Sequence, residues 1–151
     1  ASCLYLDLTA FENLLFYAKL YSLEDPETKA NQAIGEVGLK LRRYDRVRTF
    51  SRGMQQRLSI ARATLHDPPI LFLDEPFTGL DLQATNILKE YLHKLHTGKR
   101  TLIMTTHDFS CGLEMCDKVA IQSKGKFVLL KSSDRIDREN FENLYTEALE
   151  K

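Results

Sequence analysis

Asp74 and Glu75 follow the apolar run Ile70-Leu71-Phe72-Leu73, and an adjacent pair of carboxylates in that place suits phosphoryl chemistry. One acid can hold a Mg²⁺ ion, directly or through water, while its neighbour orients or deprotonates an attacking water. A second β-rich run, Thr101-Leu102-Ile103-Met104-Thr105-Thr106, ends at His107, whose imidazole can contact a phosphate or its water. Ser51 beside Arg52-Gly53 opens a helical pattern. A helix start gathers backbone donors and a partial positive charge, so a serine hydroxyl next to glycine there makes a place for an anion. Each feature alone has a plainer reading: a solvated acidic turn, a surface histidine, an ordinary N-cap.

The elements that carry these residues are short and well punctuated. Pro68-Pro69 disfavours a helix through Ile70 to Leu73, so the run predicts a strand buried on both faces, as in parallel sheets. Ligands in open α/β sheets bind outside the strands' carboxyl ends, which is where Asp74 and Glu75 are delivered. Pro76 and Gly79 stop the strand, and Asp81 caps a helix marked by Leu82, Ile87, Leu88, Tyr91, Leu92 and Leu95 and closed by Gly98. Strand, helix and strand at this spacing predict a right-handed βαβ unit, placing His107 at the same sheet edge as Glu75. Ser51 caps a helix through Leu58, Ala61, Arg62 and Leu65 that Asp67-Pro68 ends.

Two helices precede that turn. Thr9-Ala10-Phe11-Glu12 is a capping box opening a helix from Ala10 to about Tyr21, and Pro26 after Asp25 begins a second, with Ala30, Ala33, Ile34 and Val37 on one stripe and Gly38 at its end. Arg42, Arg43, Arg46 and Arg48 read as a solvated face. After His107 the pattern predicts a short helix from Phe109 to Met115, a strand from Lys118 to Gln122, a turn at Ser123-Lys124-Gly125-Lys126, a hairpin strand from Phe127 to Leu130, and a last amphipathic helix from Arg138 to Leu149. Helices first, then alternating strand and helix, argue an α/β core carrying an N-terminal helical subdomain.

Composition narrows the class. A chain of 151 residues with 43% hydrophobic and 28% charged residues fits one globular domain. With 21 basic and 21 acidic residues the net charge is zero, which supports neither a nucleic-acid stripe nor a polybasic membrane anchor. No apolar run approaches the ~18 residues of a membrane span, so a membrane role is expected through a partner. Cys3, Cys111 and Cys116 show no CxxC spacing, which points to a reduced, cytosolic setting. The chain opens on Ala1 without a charged-then-apolar leader, and a missing start is expected.

Phe50-Ser51-Arg52-Gly53-Met54-Gln55-Gln56-Arg57-Leu58 resembles the signature L-S-G-G-Q-x-Q-R-L of ABC-type ATPases. Ile70 to Glu75 resembles their Walker B strand, Thr78-Gly79-Leu80-Asp81 their D-loop, and His107 their switch histidine. Leu8-Thr9-Ala10-Phe11-Glu12-Asn13-Leu14 looks like the start of the helical subdomain in exporter-type subunits, similar to multidrug, ABC-2 and haem-exporter ATPases. The resemblance implies a P-loop NTPase-like core with an incomplete parallel sheet, a helical subdomain over about 8–66, and the Walker B, D-loop and H-switch part of the core over about 67–151. It also implies ATP and Mg²⁺ as ligands, with Asp74 supporting the metal, Glu75 polarising the attacking water and His107 touching the γ-phosphate. Ser51, Gly53 and Gln56 would serve the nucleotide of an opposing subunit, and Asp81 would communicate across that head-to-tail homodimer or heterodimer. A transmembrane permease would hold the protein at the inner face of the membrane, without direct insertion and without a nucleic-acid partner.

Three departures qualify the match. Arg52 stands where the signature's first glycine is expected and Met54 where its glutamine is. No G-x-x-x-x-G-K-[ST] occurs, since none of the seven glycines is followed by Lys-Ser or Lys-Thr. The backbone cradle and lysine that hold the β- and γ-phosphates are therefore outside this sequence. In the resembled family, the strand feeding that loop lies between the strand ending at His107 and the one around Val119 to Ile121, so the sheet is expected to be incomplete. These residues fit an ABC ATPase that is inactive when reduced to this segment; the alternative is a non-catalytic module donating only a signature turn to a partner's ATP.

Overall fold

Thr9 begins the structure's first helix with a closed capping box: its N–H and its hydroxyl both donate to Glu12 Oε2, at 2.8 and 2.9 Å, and its Oγ1 accepts the Glu12 N–H at 3.1 Å. Those bonds hold the Glu12 carboxyl below its usual range. The computed structural model describes residues 3–97 and 100–149, so Ala1 and the expected helix stop Gly98 lie outside the described residues. The chain divides into two compact units, Ala1–Thr105 and Thr106–Lys151.

The first unit opens with α1 (Ala10–Leu20) and α2 (Pro26–Glu36), packed on each other. Gly38, at φ +69, ends α2 in the left-handed conformation that its position demanded. Asn13 is fully buried yet satisfied: its amide donates to the carbonyls of Tyr5 and Thr9, both at 2.9 Å, and its Oδ1 accepts the Tyr5 N–H at 2.8 Å. The basic segment forms two single 3₁₀ turns, Lys40–Arg42 and Val47–Thr49. It returns along the entry to α1, where the Val47 and Arg48 N–H groups donate to Leu8 and Leu6 carbonyls. Arg42, Arg46 and Arg48 are exposed as expected, while Arg43 lies half-buried with its guanidinium 4.7 Å from the centre of the Tyr44 ring.

From α3 (Arg52–Thr64) the chain runs into β1 (Ile70–Asp74), α4 (Leu82–Thr97) and β2 (Thr101–Thr105). β1 and β2 pair in parallel, from Ile70 opposite Thr101 to Asp74 opposite Thr105. The expectation that β1 is buried on both faces is corrected. Leu71 and Leu73 are buried, but Ile70 is 51% and Phe72 73% exposed. Among the described residues β1 has β2 as its only strand partner, and the face shared by Ile70, Phe72 and Asp74 carries no cover. Leu82, assigned to the apolar stripe of α4, is exposed as well, because it is the first helical residue and the buried stripe starts at Ala84.

Helices α3 and α4 are tied by one buried polar contact. The Thr64 hydroxyl donates back to the carbonyls of Ile60 and Ala61, leaving its lone pair to the Tyr91 hydroxyl. Thr64→Val should leave that buried phenol without its acceptor and cost about 1 to 3 kcal/mol. The measurement is a lower urea midpoint at unchanged slope in the complete protein, and an unshifted midpoint would refute it.

The second unit contains α5 (Phe109–Met115), β3 (Lys118–Ser123), β4 (Lys126–Ser132) and α6 (Phe141–Leu149). β3 and β4 form an antiparallel hairpin whose turn places Lys124 at φ +49 and Gly125 at φ +78, the two left-handed residues that a tight hairpin turn requires. Leu113, Ile121, Ile136, Phe141 and Ala148 make its core, with the Phe109 and Phe141 rings edge to face. α6 starts at Phe141 instead of Arg138: the Glu139 N–H donates to the Asp137 carboxylate, a local turn that postpones the helix. The described strands thus form two separate two-stranded sheets, in keeping with an incomplete parallel sheet.

Candidate functional site

At the end of β1 the two acids point into different bonding environments. Asp74 is exposed and its Oδ1 accepts the Thr105 hydroxyl at 2.5 Å. Glu75 is half-buried, its N–H donates to the Thr105 carbonyl at 3.0 Å, and its Oε2 accepts the Thr78 hydroxyl at 3.1 Å. The backbone turns left-handed at Glu75, φ +47, a conformation that costs a non-glycine residue on the order of 1 kcal/mol. Pro76 and Phe77 are buried beneath this turn, and Gly79 at φ +78 redirects the chain toward Asp81. Asp81 caps α4 through its Oδ1, which accepts the Ala84 N–H at 2.8 Å.

The turn at Ser51 lies against the same loop. Ser51 Oγ accepts the Met54 N–H at 3.2 Å, the N-cap bond expected of it, and helix geometry leaves the Arg52 and Gly53 N–H groups without intrahelical partners. Gly53 is buried, and a Cβ there would come within 2.9 Å of Leu80 Cδ2. The Arg52 stem lies over Gly79, with its Cδ 3.5 Å from where a Cβ on that glycine would sit. Glycine at 53 therefore serves close packing of the two loops, and Arg52 fills space beside Gly79. Gln55 fixes the approach to the turn by donating to the carbonyls of Val47 and Phe50, each at 3.3 Å, and Gln56 is half-buried one residue on.

Two contributors escaped the reading of the sequence. Thr105 touches both acids, and only the strand register reveals it. Arg57 is buried and its Nη1 donates to the Val37 carbonyl at 2.6 Å, closing the end of α2. Burial lowers the Arg57 pKa, and the charge of Asp81 opposes that shift. Its position inside the motif gave no sign of this anchoring.

His107 belongs to the second unit, two residues beyond the end of β2, in an exposed bend before α5. The bend is shaped locally. Asp108 caps α5 by accepting the Cys111 N–H at 2.9 Å, its own N–H donates to the Thr106 hydroxyl at 3.1 Å, and Gly112 leaves room for the Thr106 methyl, which a Cβ would meet at 2.9 Å.

Among the described residues no three His, Cys, Asp or Glu side chains gather around one point, so a cage built by the protein alone is absent there. Magnesium bound with phosphate keeps waters and takes only one or two carboxylates. Asp74, exposed and with Oδ2 left over once Oδ1 is held, fits that requirement.

Comparison with known proteins shows the family of the chain. The family model described as ABC transporter matches residues 1–78, and the chain belongs to that family. A fluoroquinolones export ATP-binding protein of Mycobacterium tuberculosis is 41% identical over 130 residues, covering 85% of this chain and 42% of the relative. The linearmycin resistance ATP-binding protein LnrL of Bacillus subtilis is 37% identical over 84% of the chain and 42% of its own length. The ABC transporter ATP-binding protein NatA of the same organism is 36% identical over 94% of the chain and 55% of its length. A solved ATP-binding subunit of an ABC transporter superposes with a TM-score of 0.83 at 29% identity, over 97% of this chain and 65% of that one. The chain thus spans about half or less of the curated relatives' length. No helix among the described residues is long and apolar enough to cross a membrane.

Proposed function

We propose that these residues are the signature- and Walker B-bearing portion of a subunit that hydrolyses ATP to drive export through a membrane permease. The observation that carries the reading is the pair Asp74-Glu75 at the end of a parallel strand, each carboxylate held by a separate threonine hydroxyl. Residues 8–66 are the helical subdomain and 67–151 the remaining part of the nucleotide-binding core. The protein works at the inner face of the membrane, bound to the permease and paired head to tail with a second ATPase subunit.

In this reading Glu75 takes the proton of a water attacking the γ-phosphorus in line, and His107 contacts the γ-phosphate. Asp74 would hold Mg²⁺, which neutralises phosphate charge when bound with the nucleotide. Ser51, the free N–H groups at Arg52 and Gly53, and the polar Gln56 meet the nucleotide bound by the opposing subunit. Asp81, at the start of α4, relays that contact across the dimer. Catalysis comes from positioning and charge stabilisation more than from covalent chemistry.

Ser51→Arg in the complete protein is the test. The larger side chain fills the helix start where the opposing phosphate should lie, and ATP-dependent dimerisation of a Glu75→Gln background should disappear in sedimentation. Loss of the cap alone costs about 0.5 to 2 kcal/mol, so the monomer should stay folded. Unchanged dimerisation would reduce Ser51 to a helix cap.

A further inference from the structure

We infer that Thr105 is the positioning residue for both acids, and that its hydroxyl fixes the Asp74 oxygen left for the metal. This rests on the reading of Asp74 as the Mg²⁺ ligand. Thr105 reaches the two acids by different groups: its side chain donates to Asp74 Oδ1 at 2.5 Å, and its carbonyl accepts the Glu75 N–H at 3.0 Å. The geometry follows from the ladder. Asp74 and Thr105 are its final cross-strand pair, so their side chains emerge side by side on the same face. The next residue, Glu75, has already left the extended conformation at φ +47. The Thr105 carbonyl is thus the last rung before the turn that presents the second acid.

The two bonds differ in what they require of residue 105. Any amino acid supplies the carbonyl; only a hydroxyl of the right reach supplies the bond to Asp74. An exposed aspartate without that bond rotates about its side-chain torsions, and its free oxygen samples a wide arc. Anchored at Oδ1, the carboxylate offers Oδ2 in one direction. The donor is also uncharged, so it orients the carboxylate without cancelling the negative charge that attracts a divalent cation. A lysine or arginine in its place would neutralise that charge.

Valine has the shape and strand preference of threonine without the hydroxyl, and Asp74 is exposed to water, so Thr105→Val should fold normally. The complete protein carrying Glu75→Gln is loaded with ATP, freed of excess nucleotide and titrated with Mn²⁺, with bound metal counted by electron paramagnetic resonance. Loss of a partner that orients a metal ligand typically weakens the metal by about 10- to 100-fold. Thr105→Val should show a shift of that size in the Mn²⁺ concentration for half-saturation, with an unchanged melting temperature, and Thr105→Ser should return it near the parent value. Parent-like Mn²⁺ binding by Thr105→Val, alongside loss of binding in Asp74→Asn, would overturn the role of Thr105 and leave that of Asp74 standing. Parent-like binding by Asp74→Asn would instead remove the metal reading on which the inference rests. If Thr105→Val melts early, Thr105→Ala serves as the second hydroxyl-free variant, and equal weakening in Thr105→Ser would overturn the inference by tracing the effect to packing.

Discussion

Replacing Glu75 with glutamine is expected to lower steady-state phosphate release from the complete protein by about 10²- to 10⁴-fold, the usual cost of a lost positioned base, while ATP remains bound. Glutamine keeps the length and planarity of the side chain and can still accept the Thr78 hydroxyl bond, now 3.1 Å at Oε2. What it loses is the capacity to take a proton. Turnover and nucleotide retention measured on the same preparation separate that loss from a loss of binding. Near-normal turnover would remove Glu75 from the chemistry.

A polypeptide limited to these 151 residues is expected to bind no Mg-ATP at micromolar concentration and to associate through the bare side of its parallel sheet. The phosphate-cradling glycine-rich loop is not among its residues. Phe72 and Ile103 face each other across the ladder, 73% and 46% exposed, and among the described residues the two-stranded sheet has open edges on both sides. Unpaired edges beside exposed apolar residues are templates for aggregation. A separate polypeptide carrying the glycine-rich loop and its feeding strand should restore a cooperative melt and nucleotide binding together. Should the segment alone run as a monomer, melt sharply and bind Mg-ATP, the account of its open sheet fails.

Most of the local architecture was legible because its determinants are local. The capping box at Thr9, Gly38 after α2, the Ser51 and Asp81 caps and the two β-rich runs each carry their signal within a few residues, and each formed where the pattern placed it. The faces of β1 were misread because an apolar run reports what a strand prefers, not which neighbours it has. Thr105 was invisible for a related reason. Its partnership with Asp74 spans 31 residues and depends on register, which composition does not encode. Gly53 was read for an anion beside the helix start, and that its missing Cβ also admits Leu80 depends on how the two loops pack, which the motif does not carry. Arg57 belongs to the same recognisable motif, yet its buried bond to Val37 depends on the packing of two helices.

The left-handed backbone at Glu75 separates what folding favours at that position from what function needs. Glycine adopts φ +47 without the side-chain clash that glutamate endures, and its greater freedom in the unfolded chain offsets only part of that relief. Selection for thermal resistance alone would weigh that relief against the contacts of the Glu75 side chain, the Thr78 hydroxyl bond among them. In a library randomised at position 75 and sorted only by heat survival, glycine and asparagine should rise and glutamate should drift away; a second sort on ATP turnover should bring it back.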